Sequence, residues 1–262
     1  GKSRIIDDAA DGGQSDVSTD ENALTFCSAI QPAHHIEALQ GYMKQAGEIW
    51  PQGPEGKMQT AGEDWPDAYR YTPMNPTEAE ACIVIWWHPQ WKCAVAQRYY
   101  GLLFGLPNAV TSFNRWSRLA EAMARRPLMV LMSMYFDDAT MQDWASSIHA
   151  KQKCVAESME LLGSPWAREK SQPGSDRGDF LGLIHDLSDV QSGTIKFWPR
   201  EALIKKVTGI IHVARESGLQ SGVAAKLYGI SNFLETGMFA RVGRAGLTAI
   251  KARQFDHGIA IT

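Results

Sequence analysis

Apolar positions recur with two different periods along this chain, and each change of period marks an element. Residues 23–49 follow a broadly helical spacing, and residues 51–62 break into a loop. Runs 81–87 and 92–97 are β-rich and flank His88-Pro89-Gln90-Trp91, the pattern of a hairpin. Val110, Phe113, Trp116, Ala120 and Met123 then repeat at helical intervals between Phe104-Gly105-Leu106-Pro107-Asn108 and Pro127. Residues 129–135 predict a buried strand, Phe136-Asp137 its turn, and Ala139-Thr140-Met141 the return. Ile148, Val155, Met159 and Leu162 share one face of a helix that stops at Gly163. Residues 179–184 and 194–198 read as two paired strands around Ser192-Gly193. Two amphipathic helices follow, one lined by Leu203, Val207, Ile210 and Ala214, the other by Val223, Leu227, Ile230 and Leu234, with Gly218 between them. At the other end, Lys2-Ser3-Arg4-Ile5-Ile6 predicts a short strand with both cations on one face. The order implies an α+β chain, an antiparallel sheet with helices followed by a separate helical module.

Charge divides the chain at the same place. Residues 196–253 carry about +7 and residues 1–195 about −9, so a basic helical end follows an acidic body, a distribution suited to gripping a polyanion. At 262 residues and 44% apolar content the chain can build a substantial core. No apolar run approaches the roughly 18 residues that cross a bilayer, which predicts no membrane partner. Cys27, Cys82, Cys93 and Cys154 lack C-x-x-C spacing and read as free thiols of a reducing compartment, cytoplasmic or nuclear rather than secreted. Beginning at Gly1 rather than Met, the sequence reads as a piece of a longer polypeptide. No P-loop, H-E-x-x-H, G-x-S-x-G or dinucleotide fingerprint occurs. His34-His35 have no partner histidine one helical turn away and read as surface or core residues rather than metal ligands.

Among the acidic positions, Asp137-Asp138 stands out because the predicted hairpin brings both carboxylates to one tip. Asp7-Asp8 shows that the dipeptide alone carries little weight, and an acidic solvated turn is its ordinary reading. Asp64-Trp65-Pro66-Asp67-Ala68-Tyr69 supplies a possible third carboxylate. Pro66 holds Trp65 extended and ends a strand, leaving Asp64 at the exit.

In order, these pieces resemble the reverse transcriptases, in particular those of retrotransposons. Asp64-Trp65-Pro66-Asp67-Ala68-Tyr69 is similar to the family's first catalytic motif, with Pro66 an unusual member. Phe104-Gly105-Leu106 with Ala109, Phe113 and Arg115 resembles the second, and Tyr135-Phe136-Asp137-Asp138 the Tyr-x-Asp-Asp signature. Leu162-Gly163 with Lys170-Ser171 looks like the fourth motif, Phe180-Leu181-Gly182 the primer-gripping hairpin, and Lys2 and Arg4 the fingers strand. Gly105 and Asp137 lie 41 and 73 residues after Asp64, intervals of the family's size. The resemblance implies a right-hand polymerase with an antiparallel palm sheet, fingers insertions and a helical thumb-like C-terminal part. Residues 1–186 would be partial fingers plus palm, with fingers at about 1–63 and 72–103, and residues 187–262 a connecting strand and basic thumb-like region.

The implied activity is RNA-directed DNA polymerase, adding dNTPs to a primer 3′-OH on an RNA or DNA template. Two Mg²⁺ ions, or Mn²⁺ in their place, would be held by Asp64, Asp137, Asp138 and the Trp65 carbonyl. Lys2, Arg4 and the Asp67 and Ala68 amides would hold the triphosphate. Tyr69 would exclude the ribose 2′-OH, and Gly105 would let template or nucleotide approach. Lys170 would be the general acid. Lys205, Lys206, Arg241 and Arg244 would meet backbone phosphates beside Phe180, Leu181 and Gly182. The alternatives are a catalytically inactive, nucleic-acid-binding relic and an unrelated metal-binding α+β protein.

Overall fold

A computed structural model describes residues 24–103, 105–235 and 243–256. Lys2, Arg4, Phe104 and Arg241 lie outside the described residues. Chain order begins with helix α1 (Gln31–Gln45), strand β1 (Met58–Asp64) and the one-turn α2 (Ala68–Tyr71). Next come the hairpin β2 (Ile83–His88) and β3 (Cys93–Arg98) and the long helix α3 (Pro107–Arg125). The hairpin β4 (Leu131–Tyr135) and β5 (Asp138–Trp144) leads into α4 (Ile148–Leu161). Strands β6 (Gln172–Ser175), β7 (Arg177–Phe180), β8 (Leu183–Asp186) and β9 (Lys196–Pro199) precede helices α5 (Glu201–Ser217), α6 (Ser221–Glu235) and α7 (Leu247–Arg253).

The central sheet runs β4-β5-β1-β6, with both pairs around β1 and the β4–β5 hairpin antiparallel. Side chains on its two faces have different fates because successive residues point opposite ways. Ala61, Met132, Met134, Ala139 and Met141 face α3 and α4 and are buried with Phe113, Ile148, Val155 and Met159 in the main core. The other face carries Thr60, Ser133, Thr140 and Gln142, and α1 covers its far end through His35. There Arg125 donates to Ser133 Oγ at 2.7 Å, Ser133 and His35 Nε2 lie 2.9 Å apart, and His35 Nδ1 meets Gln142 Oε1. Gln142 Nε2 then donates to Thr60 and Thr140 at 2.8 Å each, so this buried polar chain leaves no member unpaired. Ile36, Met58, Leu187 and Val190 close the same end with a small apolar cluster.

Two stretches differ from the sequence pattern. The end of the predicted 51–62 loop is strand β1, the middle of the sheet. Met-Gln-Thr-Ala-Gly-Glu-Asp has neither alternation nor β-branched enrichment, and it becomes a strand because β5 and β6 pair with it on both sides. Residues 179–184 are not one strand: Leu181 at φ +49° and Gly182 at φ +80° turn β7 back onto β8, as the resemblance to a gripping hairpin implies. The pairing of β8 with β9 follows the predicted partnership. On α6 the buried positions are Ala224, Leu227 and Glu235, while Val223 is exposed.

Candidate active site

Register brings the first two acidic positions together. Asp64, the last residue of β1, lies directly opposite Asp138, the first of β5, so their side chains project from one face with Cβ atoms about 5 Å apart. Tyr135 pairs with the same Asp138 across the β4–β5 hairpin, leaving Phe136 and Asp137 as its two-residue turn. A left-handed first turn residue matches the strands' twist, but the position ordinarily suits glycine, and Phe136 occupies it at φ +54°. Ser117 on α3, fully buried, holds this turn by donating to the Phe136 carbonyl at 2.7 Å. The Trp65 amide donates to the Asp137 carbonyl at 3.2 Å, tying the exit of β1 to the same turn.

The Trp65 ring anchors that exit. It is buried, stacks on Trp166 with centroids 4.4 Å apart, and donates from Nε1 to the Ser164 carbonyl at 3.0 Å. Beyond Pro66 the chain enters α2 through Asp67 at φ +47°. Tyr69 on α2 stacks on Phe113 at 4.8 Å. Burial pushes the Tyr69 hydroxyl up to about 12, and the negative charge of Asp137 adds to the shift. Gly105 adopts φ +89° immediately before Leu106, the residue that caps α3.

Lys170 reaches the same place from the segment after α4, and its ammonium contacts Asp64 Oδ1. Across from it sits the β7–β8 turn. Glu63, Asp64, Asp138, Lys170, Gln172, Asp179 and Arg200 join Phe180, Leu181 and Gly182 around one cleft of about 130 Å³. Arg200, at the start of α5, pairs with Asp179 at 3.1 Å and donates its amide to the Gly182 carbonyl at 2.9 Å. Gly182 suits this position because its φ of +80° strains other residues, and a Cβ on it would also displace the Leu203 Cδ1 methyl 2.8 Å away. Lys205 and Lys206 are exposed farther along α5, Lys205 in an ion pair with Glu201, and Arg244 is exposed before α7.

The charges account for the behaviour of Asp138. Burial, then the neighbouring charges of Asp137 and Asp64, push its carboxyl up to about 6, against the opposing pull of Lys170 and Arg200. Hard carboxylate oxygens in mutual repulsion are a donor set suited to a divalent cation. As they stand, no group of three His, Cys, Asp or Glu among the described residues is arranged to hold a metal ion, and Lys170 occupies the Asp64 carboxylate. By donor chemistry and charge these carboxylates suit a hard cation, while in the present arrangement Lys170 is the counter-ion of Asp64.

Of the positions singled out by sequence, the structure gathers Asp64, Asp138, Lys170, Phe180, Leu181 and Gly182 around the cleft, with Asp137 in the adjoining turn, while Tyr69 packs on Phe113 and does not line it. Glu63, Asp179 and Arg200 were not foreseen. Arg200 follows Pro199 at a helix start that no motif distinguishes, whereas Glu63 could have been noticed as an acidic residue next to a strand-end aspartate.

No protein-family model and no curated protein sequence matches this chain. Solved structures of foamy viral protease-reverse transcriptase share its architecture. The complex with an RNA/DNA hybrid aligns at TM-score 0.54 and 14% identity over 78% of this chain and 25% of that one. The dRH form with double-stranded DNA gives 0.55 and 14% over 82% and 35%, and the complex with double-stranded DNA 0.53 and 15% over 78% and 38%. The chain thus spans well under half the length of these polymerases, and the likeness is one of fold.

Proposed function

We propose that the chain is the polymerase core of a retrotransposon-type reverse transcriptase, an RNA-directed DNA polymerase that extends a primer with dNTPs. The observation that carries the reading is the opposition of Asp64 and Asp138 across β1 and β5 beside the Asp137 turn, with Lys170 and the β7–β8 turn on the same cleft. In this reading the four-stranded sheet is the palm and takes in β1, although the resemblance puts residues up to about 63 in the fingers; β2 and β3 belong to the fingers, and α5 to α7 form the thumb-like region. The boundary near residue 186 falls between the hairpin that receives the primer and the strand leading into the basic helices.

Phosphoryl transfer asks a protein mainly to position reactants and neutralise charge. Asp64, Asp137 and Asp138 are the residues that would hold two Mg²⁺ or Mn²⁺ ions, with the Trp65 carbonyl as a neutral ligand. Such ions, when bound, would supply charge neutralisation for the phosphoryl transfer. The protein's own share is distinct. The Phe136 turn, pinned by Ser117, fixes where Asp137 and Asp138 stand. Tyr69, braced by Phe113, closes the sugar side and favours deoxynucleotides. Lys170 hands a proton to the departing pyrophosphate, and its ammonium already sits at the carboxylate beside which that group would leave. Asp67 and Ala68 amides, with Lys2 and Arg4, hold the triphosphate. Gly105 admits the base pair, and Lys205, Lys206, Arg241 and Arg244 meet backbone phosphates without reading sequence.

Primer extension on an RNA template with Mg²⁺ tests the proposal. Wild type should add dNTPs, and Asp137→Asn should reduce the rate by at least about a hundredfold, the scale of losing a charge that stabilises the transition state. Equal background incorporation by both proteins refutes the enzyme reading, and salt-dependent duplex binding without incorporation would identify a nucleic-acid-binding relic instead.

A further inference from the structure

Glu63 is an unusual neighbour for Asp64. It lies on the opposite face of β1, only 6% exposed, beside Ala61, Ala139 and Met141 on a face that also carries Gln59 and the buried Asp143. A buried carboxyl is costly unless hydrogen-bonded, and this one is. Gln152 on α4 donates to Glu63 Oε1 at 2.7 Å, and Ser171 donates to the same oxygen at 2.9 Å. The other N–H of the Gln152 amide reaches the Gln172 carbonyl at 3.0 Å. Glu63 and Gln152 thus grip residues 171 and 172, which directly follow Lys170.

The preceding side of Lys170 is fixed as well. Its amide donates to the Ala167 carbonyl at 2.9 Å, and the Ala167 amide donates to the Asp64 carbonyl at 2.8 Å. The short turn bearing Lys170 is therefore fastened to β1 at two adjacent residues, through the Asp64 backbone before it and the Glu63 side chain after it. Lysine has four rotatable side-chain bonds, so aiming its ammonium requires its Cα to be fixed.

We propose that Glu63, Gln152 and Ser171 form a buried positioning bracket that holds Lys170 over Asp64. Their contribution is hydrogen bonding, not charge, and although Glu63 borders the cleft they act on the reaction through Lys170. The inference rests on the polymerase reading for its consequence in catalysis, but the placement of Lys170 can be observed without it.

The test follows the Lys170 side chain by NMR of lysine-labelled protein at one fixed pH, with the signal assigned through Lys170→Arg. Ser171→Ala and Glu63→Leu should move the signal to the position of exposed lysines such as Lys206. Glu63→Gln, which keeps the accepting oxygen, should leave it in place. An unmoved signal in folded Ser171→Ala overturns the bracket, and so does a Glu63→Gln protein that behaves like Glu63→Leu. Should Glu63→Leu fail to fold, Ser171→Ala and Glu63→Gln decide the matter. In primer extension, Ser171→Ala should lower kcat about tenfold with KM for dNTP unchanged, and should add no loss in a Lys170→Ala background. Additive losses there mean that Ser171 acts independently of Lys170, and overturn the inference. If wild type extends no primer, the polymerase reading fails while the NMR signal still judges the bracket.

Discussion

Tyr69 illustrates how one side chain is committed by its surroundings. Its ring is half-buried against Phe113, and both burial and the charge of Asp137 keep its hydroxyl protonated at any physiological pH. It is therefore a neutral wall, one that in the proposed polymerase would discriminate by shape. Tyr69→Ala is expected to admit ribonucleotides at least tenfold more readily, since a lost steric contact of this size changes selectivity by about 1–3 kcal/mol. Single-nucleotide incorporation with paired dNTP and rNTP measures this, and an unchanged ratio removes the gate. Ser117 makes a second prediction at the same scale. Ser117→Ala would leave the Phe136 carbonyl without its buried donor and should cost about 1–3 kcal/mol of stability, read as a lower urea midpoint.

At the scale of elements, the two-residue turns explain what could and could not be read from sequence. The Phe136-Asp137 turn was legible because a long apolar run preceded it and a second run followed, leaving only one place to reverse. By contrast, the Leu181-Gly182 turn was hidden within an apolar stretch, and only the resemblance to a gripping hairpin pointed to it. Strand β1 was invisible to periodicity, because a central strand is specified by its neighbours and not by alternation. The candidate site was read from Asp64, Asp137 and Lys170, whose spacing survives in the sequence. Arg200 and Glu63 escaped because their partners, Asp179 and Gln152, are distant in the chain and lie on other elements. Gly182→Ala would test how tightly the β7–β8 turn is joined to α5. Alanine at φ +80° is strained, and its Cβ would press on Leu203, so a loss above about 1 kcal/mol is expected in chemical denaturation. A neutral effect would mean that α5 shifts freely relative to the turn.

For the whole molecule, the site face is divided: hydrogen-bonded and apolar contacts beneath α1 close one end, and the acidic cleft occupies the other. Two histidines in the closed parts make stability depend on pH. Burial lowers His35 to about 4 and His185, packed on Phe197, also to about 4, from an ordinary 6.5. A depressed folded pKa means that each neutral imidazole contributes its full stability above pH 6.5, and that this is lost as pH falls towards 4. Full protonation would remove about 3 kcal/mol per histidine, a large part of a typical folding free energy of about 5–15 kcal/mol. Asp138 acts with the opposite sign: its raised carboxyl favours folding below 3.8 and gives that up as pH rises through about 6. The histidines outweigh it, being two groups and more deeply buried. Urea denaturation at pH 7.5, 6 and 5 should therefore show a falling midpoint, and His185→Phe should remove well over half of the slope, because the opposing contribution of Asp138 remains. A midpoint independent of pH would mean that neither imidazole is held neutral in the fold.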